Sequence, residues 1–144
     1  MYYLGIDPGK DGALAIISES GVRLIPFNEQ NYAEALSGLR GHRAICCLER
    51  VGAMPGQGVT SMFSFGENYG FIRGLLTASQ IPYERVTPQK WKREFGVTGK
   101  NQSVAVCMSL FPTVSLFRTP KCRKYHDGMA EALLMAEYAR RRLG

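Results

Sequence analysis

The stretch Tyr2-Tyr3-Leu4-Gly5-Ile6-Asp7-Pro8-Gly9 decides how the chain is read. Tyr2 to Ile6 is aromatic and branched, the composition of a strand buried on both faces. Pro8-Gly9 then stops it with a turn. Such a strand belongs at the centre of a sheet and delivers Asp7 to the rim, where a carboxylate is both rigid and exposed. Asp-Pro-Gly is also ordinary turn chemistry, so Asp7 gains weight only from acids in comparable settings further along.

Outward from this strand, Lys10-Asp11-Gly12 has hairpin chemistry and leads into an apolar strand, Ala13 to Ser18. Val22 to Phe27 suits a third, antiparallel strand. Asn31 with Glu34 three residues on has the pattern of a capping box, which predicts a helix to about Leu39. Ala44-Ile45-Cys46-Cys47-Leu48 is a second fully apolar strand, and it too ends in an acid, Glu49. The intervening helix allows a parallel crossover beside the first strand. Asp7 and Glu49 then emerge at one edge of the sheet.

A Gly/Pro-containing loop, Val51 to Gly58, overhangs that edge. A long helix follows from about Thr60 to Ser79, with Gly66, Gly70 and Gly74 on one face. Glycine costs about 1 kcal/mol in a helix interior. The stripe therefore asks for a reason, either packing on the sheet or close approach of another helix or a DNA backbone. Pro82 to Val86 reads as an edge strand. Thr87-Pro88 opens a helix carrying Lys90, Trp91, Lys92 and Arg93 that stops at Gly96. Lys100 to Leu110 is predicted helical, Pro112 to Tyr125 an irregular basic loop, and Asp127 to about Leu143 a final helix.

With 144 residues, the chain suits one domain that buries roughly two-thirds of its unfolded surface. Its 45% hydrophobic and 21% charged residues are those of an ordinary globule. No apolar run approaches the ~18 residues of a membrane span, and the first residues lack the basic region of a signal peptide. The expectation is a cytoplasmic, intracellular protein without membrane contact, of phage or chromosomal origin. Eighteen Lys and Arg against twelve Asp and Glu leave a charge of +6, which leans toward an anionic partner. Basic residues gather at Lys90, Lys92 and Arg93, at Arg118, Lys121, Arg123 and Lys124, and at Arg140 to Arg142, the last read as solvated surface charge. Cys46, Cys47, Cys107 and Cys122 have neither zinc-site nor disulfide spacing and read as reduced core thiols.

Two further acids open the final helix, in His126-Asp127-Gly128-Met129-Ala130-Glu131-Ala132-Leu133-Leu134. Asp127 and Glu131, four apart, project from one face. A helix-start acid pair is also what the macrodipole favours. The apolar residues around them, however, imply packing on the sheet, which brings both acids toward its edge. Four converging carboxylates repel one another unless a cation neutralises them. Oxygen donors without His or Cys suit Mg²⁺, with Mn²⁺ as a substitute. Two such ions can activate a water and stabilise the leaving oxygen of a phosphodiester.

Gly5-Ile6-Asp7-Pro8-Gly9, then Leu48-Glu49, then Asp127-Gly128-x-Ala130-Glu131-Ala132-Leu133-Leu134 resembles the RuvC-type Holliday-junction resolvases, most closely the branch with phage and plastid enzymes. The similarity spans nearly the whole chain in the right order. Actin-like kinases share the opening motif but need a far longer chain. The resemblance implies an α/β, RNase H-like fold over residues 1–144, a five-stranded mixed sheet flanked by helices. It also implies a homodimer that nicks opposing strands of a four-way DNA junction. An RNA-processing nuclease of this fold, or a junction-binding module without catalysis, are the alternatives.

Asp7, Glu49, Asp127 and Glu131 match the family's metal-binding carboxylates, although typical bacterial members space the last two acids three apart and use Asp for both. Lys100, at a helix start, resembles the basic residue near the scissile phosphate, with Lys92 as a weaker candidate for the same work. The candidate DNA contacts are Lys10, Arg73, Lys92, Lys100, Lys121, Arg123 and Lys124. His126 reads as a helix-start surface residue, with assistance to a water or metal as the alternative. Met54 is a candidate wedge among bases by location alone. The glycine-striped helix resembles the one that forms the family's dimer interface.

Overall fold

In a computed structural model, described at residues 1–52, 56, 58–99 and 101–144, the opening stretch is the middle strand of the sheet. β1 (Tyr2–Asp7) pairs antiparallel with β2 (Ala13–Ser18), and β2 pairs antiparallel with β3 (Gly21–Pro26). On its other side β1 runs parallel to β4 (Ala44–Glu49), which runs parallel to β5 (Tyr83–Val86). The order β3-β2-β1-β4-β5 makes a five-stranded mixed sheet. It is flanked by α1 (Glu29–Ser37), α2 (Val59–Ala78), α3 (Pro88–Phe95), α4 (Gln102–Leu110) and α5 (Asp127–Tyr138). No described helix is long and apolar enough to cross a membrane.

Strand alternation sorts the apolar residues into two cores. Leu4, Ile6, Leu14, Ile16, Cys46 and Leu48 meet Tyr32 and Leu36 of α1 and Ile72 and Leu76 of α2. Ala13, Ala15 and Cys47 face the other way, onto α5 and Trp91. The adjacent thiols of Cys46 and Cys47 therefore lie in different cores. Cys107 is buried as expected, but Cys122 is only half-buried, in the basic loop, with its Sγ 3.2 Å from Thr119 Oγ1.

Helix ends follow local chemistry, with two departures from expectation. Thr87 caps α3, Pro88 occupies its first position, and Gly96 closes it in the left-handed conformation. The cap of α1 is Asn28 rather than Asn31: the extended Asn28 accepts from the Asn31 N–H at 2.9 Å. Asn31 instead lies in the first turn, because the helix begins as soon as β3 has ended. The last helix also does not run evenly to Leu143. α5 gives way to a π-helical turn over Ala139–Leu143. There Arg140 and Arg141 bond Glu137, while Arg141 and Arg142 reach Glu94 of α3. The terminal arginines are thus ion-paired, not merely solvated. As for the glycine stripe of α2, an added Cβ at Gly66, Gly70 or Gly74 meets nothing within 4 Å. That face is open, so packing on the sheet is not its purpose.

α5 is buried almost all round, as a core helix must be, and it lies directly on β1. A Cβ at Gly5 would stand 2.1 Å from the Ala132 carbonyl oxygen and 2.3 Å from the Ala136 nitrogen. Both obstacles are backbone, so neither can swing aside. Gly5→Ala should therefore lift α5 from the sheet and cost about 3 kcal/mol or more, the upper end for overpacking. Urea denaturation would measure this, and a loss below about 1 kcal/mol would contradict the contact.

Candidate active site

The parallel register of β1 and β4 sets the first two acids side by side. Ile6 pairs with Leu48, so Asp7 and Glu49 come next on neighbouring strands at the same end of the sheet. By alternation both belong to the α5 side, with Gly5 and Cys47. Two hydrogen bonds from α2 hold the backbone here. Asn68 Oδ1 accepts from the Gly9 N–H at 3.0 Å, fixing the turn after Asp7. The buried Tyr69 hydroxyl donates to the Glu49 carbonyl at 2.9 Å.

The second pair of acids arrives on α5. A Cβ at Gly128 would sit 2.6 Å from the Asp11 carbonyl oxygen, so only glycine allows the start of α5 to press against the β1–β2 turn. This contact carries Asp127 and Glu131 toward Asp7. His126 caps the helix, its Nδ1 accepting from the Met129 N–H at 2.9 Å. The imidazole is therefore part of the helix start, neutral at that nitrogen, rather than a free surface group. Its pKa is lowered by burial and by Arg118.

The electrostatics register the convergence. Burial first, then the charges of Glu131 and Glu49, push the Asp7 carboxyl up to about 8, with Asp127 adding and Lys92 opposing. Burial, followed by the charge of Glu49, also raises Glu131. Burial raises Glu49 as well, countered by its hydrogen bond from Trp91 and by Lys92. Among the described residues, no three His, Cys, Asp or Glu side chains are grouped tightly enough to hold an ion as they stand. The two observations are compatible: charges couple through a poorly screened interior over distances well beyond the roughly 2.0–2.1 Å of a magnesium–oxygen bond. The donor chemistry, carboxylate oxygen with neither His nor Cys among the four, fits a hard divalent cation.

A cleft beside the acids is lined by Asp127, Glu131, Lys92, Thr98, Gly99 and Ser103. Among the described lysines, Lys92, the weaker candidate from the sequence, is the one whose charge reaches Asp7, Glu49 and Glu131. Lys100 and Met54 lie outside the described residues. Lys121, Arg123 and Lys124 are exposed on the loop that leads into α5, with Phe117 and Tyr125 stacked at 4.6 Å. Lys10 lies across the β1–β2 turn, facing a shallow hollow with Glu29 and Glu67. Arg73 is further off on α2, its Nε donating to the Tyr83 hydroxyl at 3.1 Å.

Sequence reasoning missed one partner of the acids. Trp91 Nε1 donates to Glu49 Oε2 at 2.8 Å, a buried bond spanning 42 residues. The available signal was a lone Trp in an otherwise polar helix, since a buried indole N–H must find an acceptor.

With the geometry assembled, comparison with solved structures is informative. The chain is similar to the Thermus thermophilus RuvC structure with a TM-score of 0.61 at 16% identity, over 98% of this chain and 96% of that one. The fold is RNase H-like. T. thermophilus RuvC in complex with Holliday junction substrate gives 0.59 at 18% identity, with the same coverage. No family model matches the chain, and no curated protein matches it by sequence.

The raised Asp7 carboxyl has a thermodynamic signature. Its folded pKa of about 8 lies above the unfolded 3.8, so between those values the folded state holds a proton that the unfolded state has lost. Stability from this group is full below about pH 4 and declines by up to roughly 1.4 kcal/mol per pH unit toward pH 8. Asp7→Asn mimics the protonated form. In chelator-containing buffer it should raise the melting midpoint by several degrees at pH 8 and hardly at all near pH 4. Equal midpoints at pH 8 would mean that neither burial nor the neighbouring acids burden the Asp7 carboxylate.

Proposed function

We propose that this protein is a divalent-metal-dependent endodeoxyribonuclease of the RuvC type, acting as a homodimer on four-way DNA junctions. The observation that carries the reading is geometric. Asp7 and Glu49 end neighbouring parallel strands, and the helix that opens with Asp127 and Glu131 is seated against that same edge of an RNase H-like sheet, so that the charges of the other three acids reach Asp7. That arrangement is costly unless positive charge is supplied. The likeness in fold to RuvC, including its complex with a Holliday junction, supports it.

In this reading, Asp7, Glu49, Asp127 and Glu131 hold Mg²⁺, with Mn²⁺ as a substitute. The bound cation supplies Lewis-acid activation of water and neutralisation of charge on the phosphodiester. The charges of its strand neighbour Glu49 and of the two helix acids all reach Asp7, so it is linked to both halves of the set. Lys92, in the cleft beside Asp127 and Glu131, draws the scissile phosphate and offsets charge that develops on it. Lys100 serves the same phosphate. Lys10, Arg73, Lys121, Arg123 and Lys124 hold the DNA arms through their phosphates, contacts that position without reading sequence. The open glycine face of α2 is the side offered to the second subunit.

Asp7→Asn should lower nicking of a synthetic mobile four-way junction in Mg²⁺ by at least about a hundredfold, the scale on which metal-site and electrostatic groups act. Junction binding in Ca²⁺ or chelator should survive. Sequencing gels that map nicks to symmetric positions on opposing strands would support paired cleavage. Undiminished cutting by the Asp7→Asn protein would refute the reading. Efficient cutting of structured RNA but not junctions would redirect it to RNA processing.

A further inference from the structure

Trp91 is the chain's one tryptophan, and it is fully buried. Its indole N–H can only donate, and at 2.8 Å it meets the carboxylate oxygen Oε2 of Glu49. Glu49 is itself only 8% exposed. A buried Trp more often needs just any acceptor, and a backbone carbonyl serves that need. Here the acceptor is the side chain of an acid at the sheet edge, gripped as well through its own carbonyl by Tyr69. α3 and α2 thus reach Glu49 from opposite faces of the sheet, one at the carboxylate and one at the backbone.

Trp91 is well held. It sits in the middle of α3, between the Thr87 cap and the left-handed Gly96, and packs in the core beneath α5 with Cys47 and Val86. The indole cannot follow Glu49 if the carboxylate rotates. A carboxylate has two oxygens with about four lone-pair sites between them. The indole N–H uses one site on Oε2 and fixes the orientation of the group, which favours Oε1 as the oxygen turned to a cation.

We propose that Trp91 is a positioning residue for Glu49: its N–H pins one carboxylate oxygen and so presents the other to the divalent cation in a single orientation. This rests on the metal-dependent reading of the site. Partners of this kind typically change metal affinity by roughly 10- to 100-fold when removed.

Because the chain has a single Trp, growth on a benzothiophene analogue of tryptophan changes residue 91 alone. It exchanges the N–H for sulfur while keeping the ring shape. The experiment is calorimetric titration of Mg²⁺ into the wild-type, the analogue, Trp91→Phe and Asp7→Asn proteins, with circular dichroism and melting curves on each. The analogue protein should fold like wild type and bind Mg²⁺ about tenfold more weakly. Trp91→Phe should weaken binding as much, even if it also melts lower. In wild-type protein, Trp91 fluorescence should change with Mg²⁺ at the calorimetric midpoint, and this response should vanish in Glu49→Ala.

A folded analogue that binds Mg²⁺ as tightly as wild type overturns the role of Trp91. If Asp7→Asn still weakens binding, the metal site itself stands. If wild type and Asp7→Asn bind Mg²⁺ alike, the metal reading and this inference fall together.

Discussion

The contact on which everything else depends is the seating of α5 on β1 at van der Waals distance from backbone to backbone. Two glycines without side chains permit it, Gly5 under the middle of the helix and Gly128 at its start. The buried apolar surface of α5 drives the association, since nearly every residue from Gly128 to Ala139 is out of water. The driving force, however, is non-directional. It is the shape of the two glycine contacts that decides where along the strand the helix settles, and therefore which of its residues stand beside Asp7.

That seating has an electrostatic cost. Asp7, Glu49 and Glu131 all have carboxyls raised by burial and, for Asp7 and Glu131, by one another's neighbours. Lys92 and the Trp91 N–H offset only part of this. The rest of the molecule arranges its charges differently. At the far end of the same helix, Glu137 and Glu94 are matched by Arg140, Arg141 and Arg142, which depresses both carboxyls despite the partial burial of Glu137. One helix thus ends in satisfied acids and begins among unsatisfied ones. Local strain of the second kind gathers at sites with a task.

Much of this was legible in the chain. Strand identity followed from apolar runs bounded by turn chemistry, and the parallel crossover from the helix between the first and fourth strands. Asp7 and Glu49 ending neighbouring strands came directly from that topology. What could not be read was anything depending on contact across the sheet. Asn28 and Asn31 are chemically equal as caps, and only the point where β3 lets go of the chain chooses between them. The turn at Ala139–Leu143 departs from an even helix where the arginines reach Glu137 and Glu94. His126 looked like a surface residue because capping by imidazole leaves no distinctive spacing. The Trp91–Glu49 bond joins residues with no pattern between them. The conspicuous glycine pattern lies on α2, where the face is open, whereas the glycines that govern packing are two isolated ones elsewhere.

Adjacent residues of a strand face opposite ways, and β4 places a cysteine at each of two such positions. Cys46 is sealed beneath α1 and α2, Cys47 beneath α5, and burial pushes both thiols well above their usual range, Cys47 to about 12. A thiolate is the reactive form, so neither sulfur meets a labelling reagent until its own layer parts from the sheet. The native protein carries, one peptide bond apart, a reporter in each of its two cores.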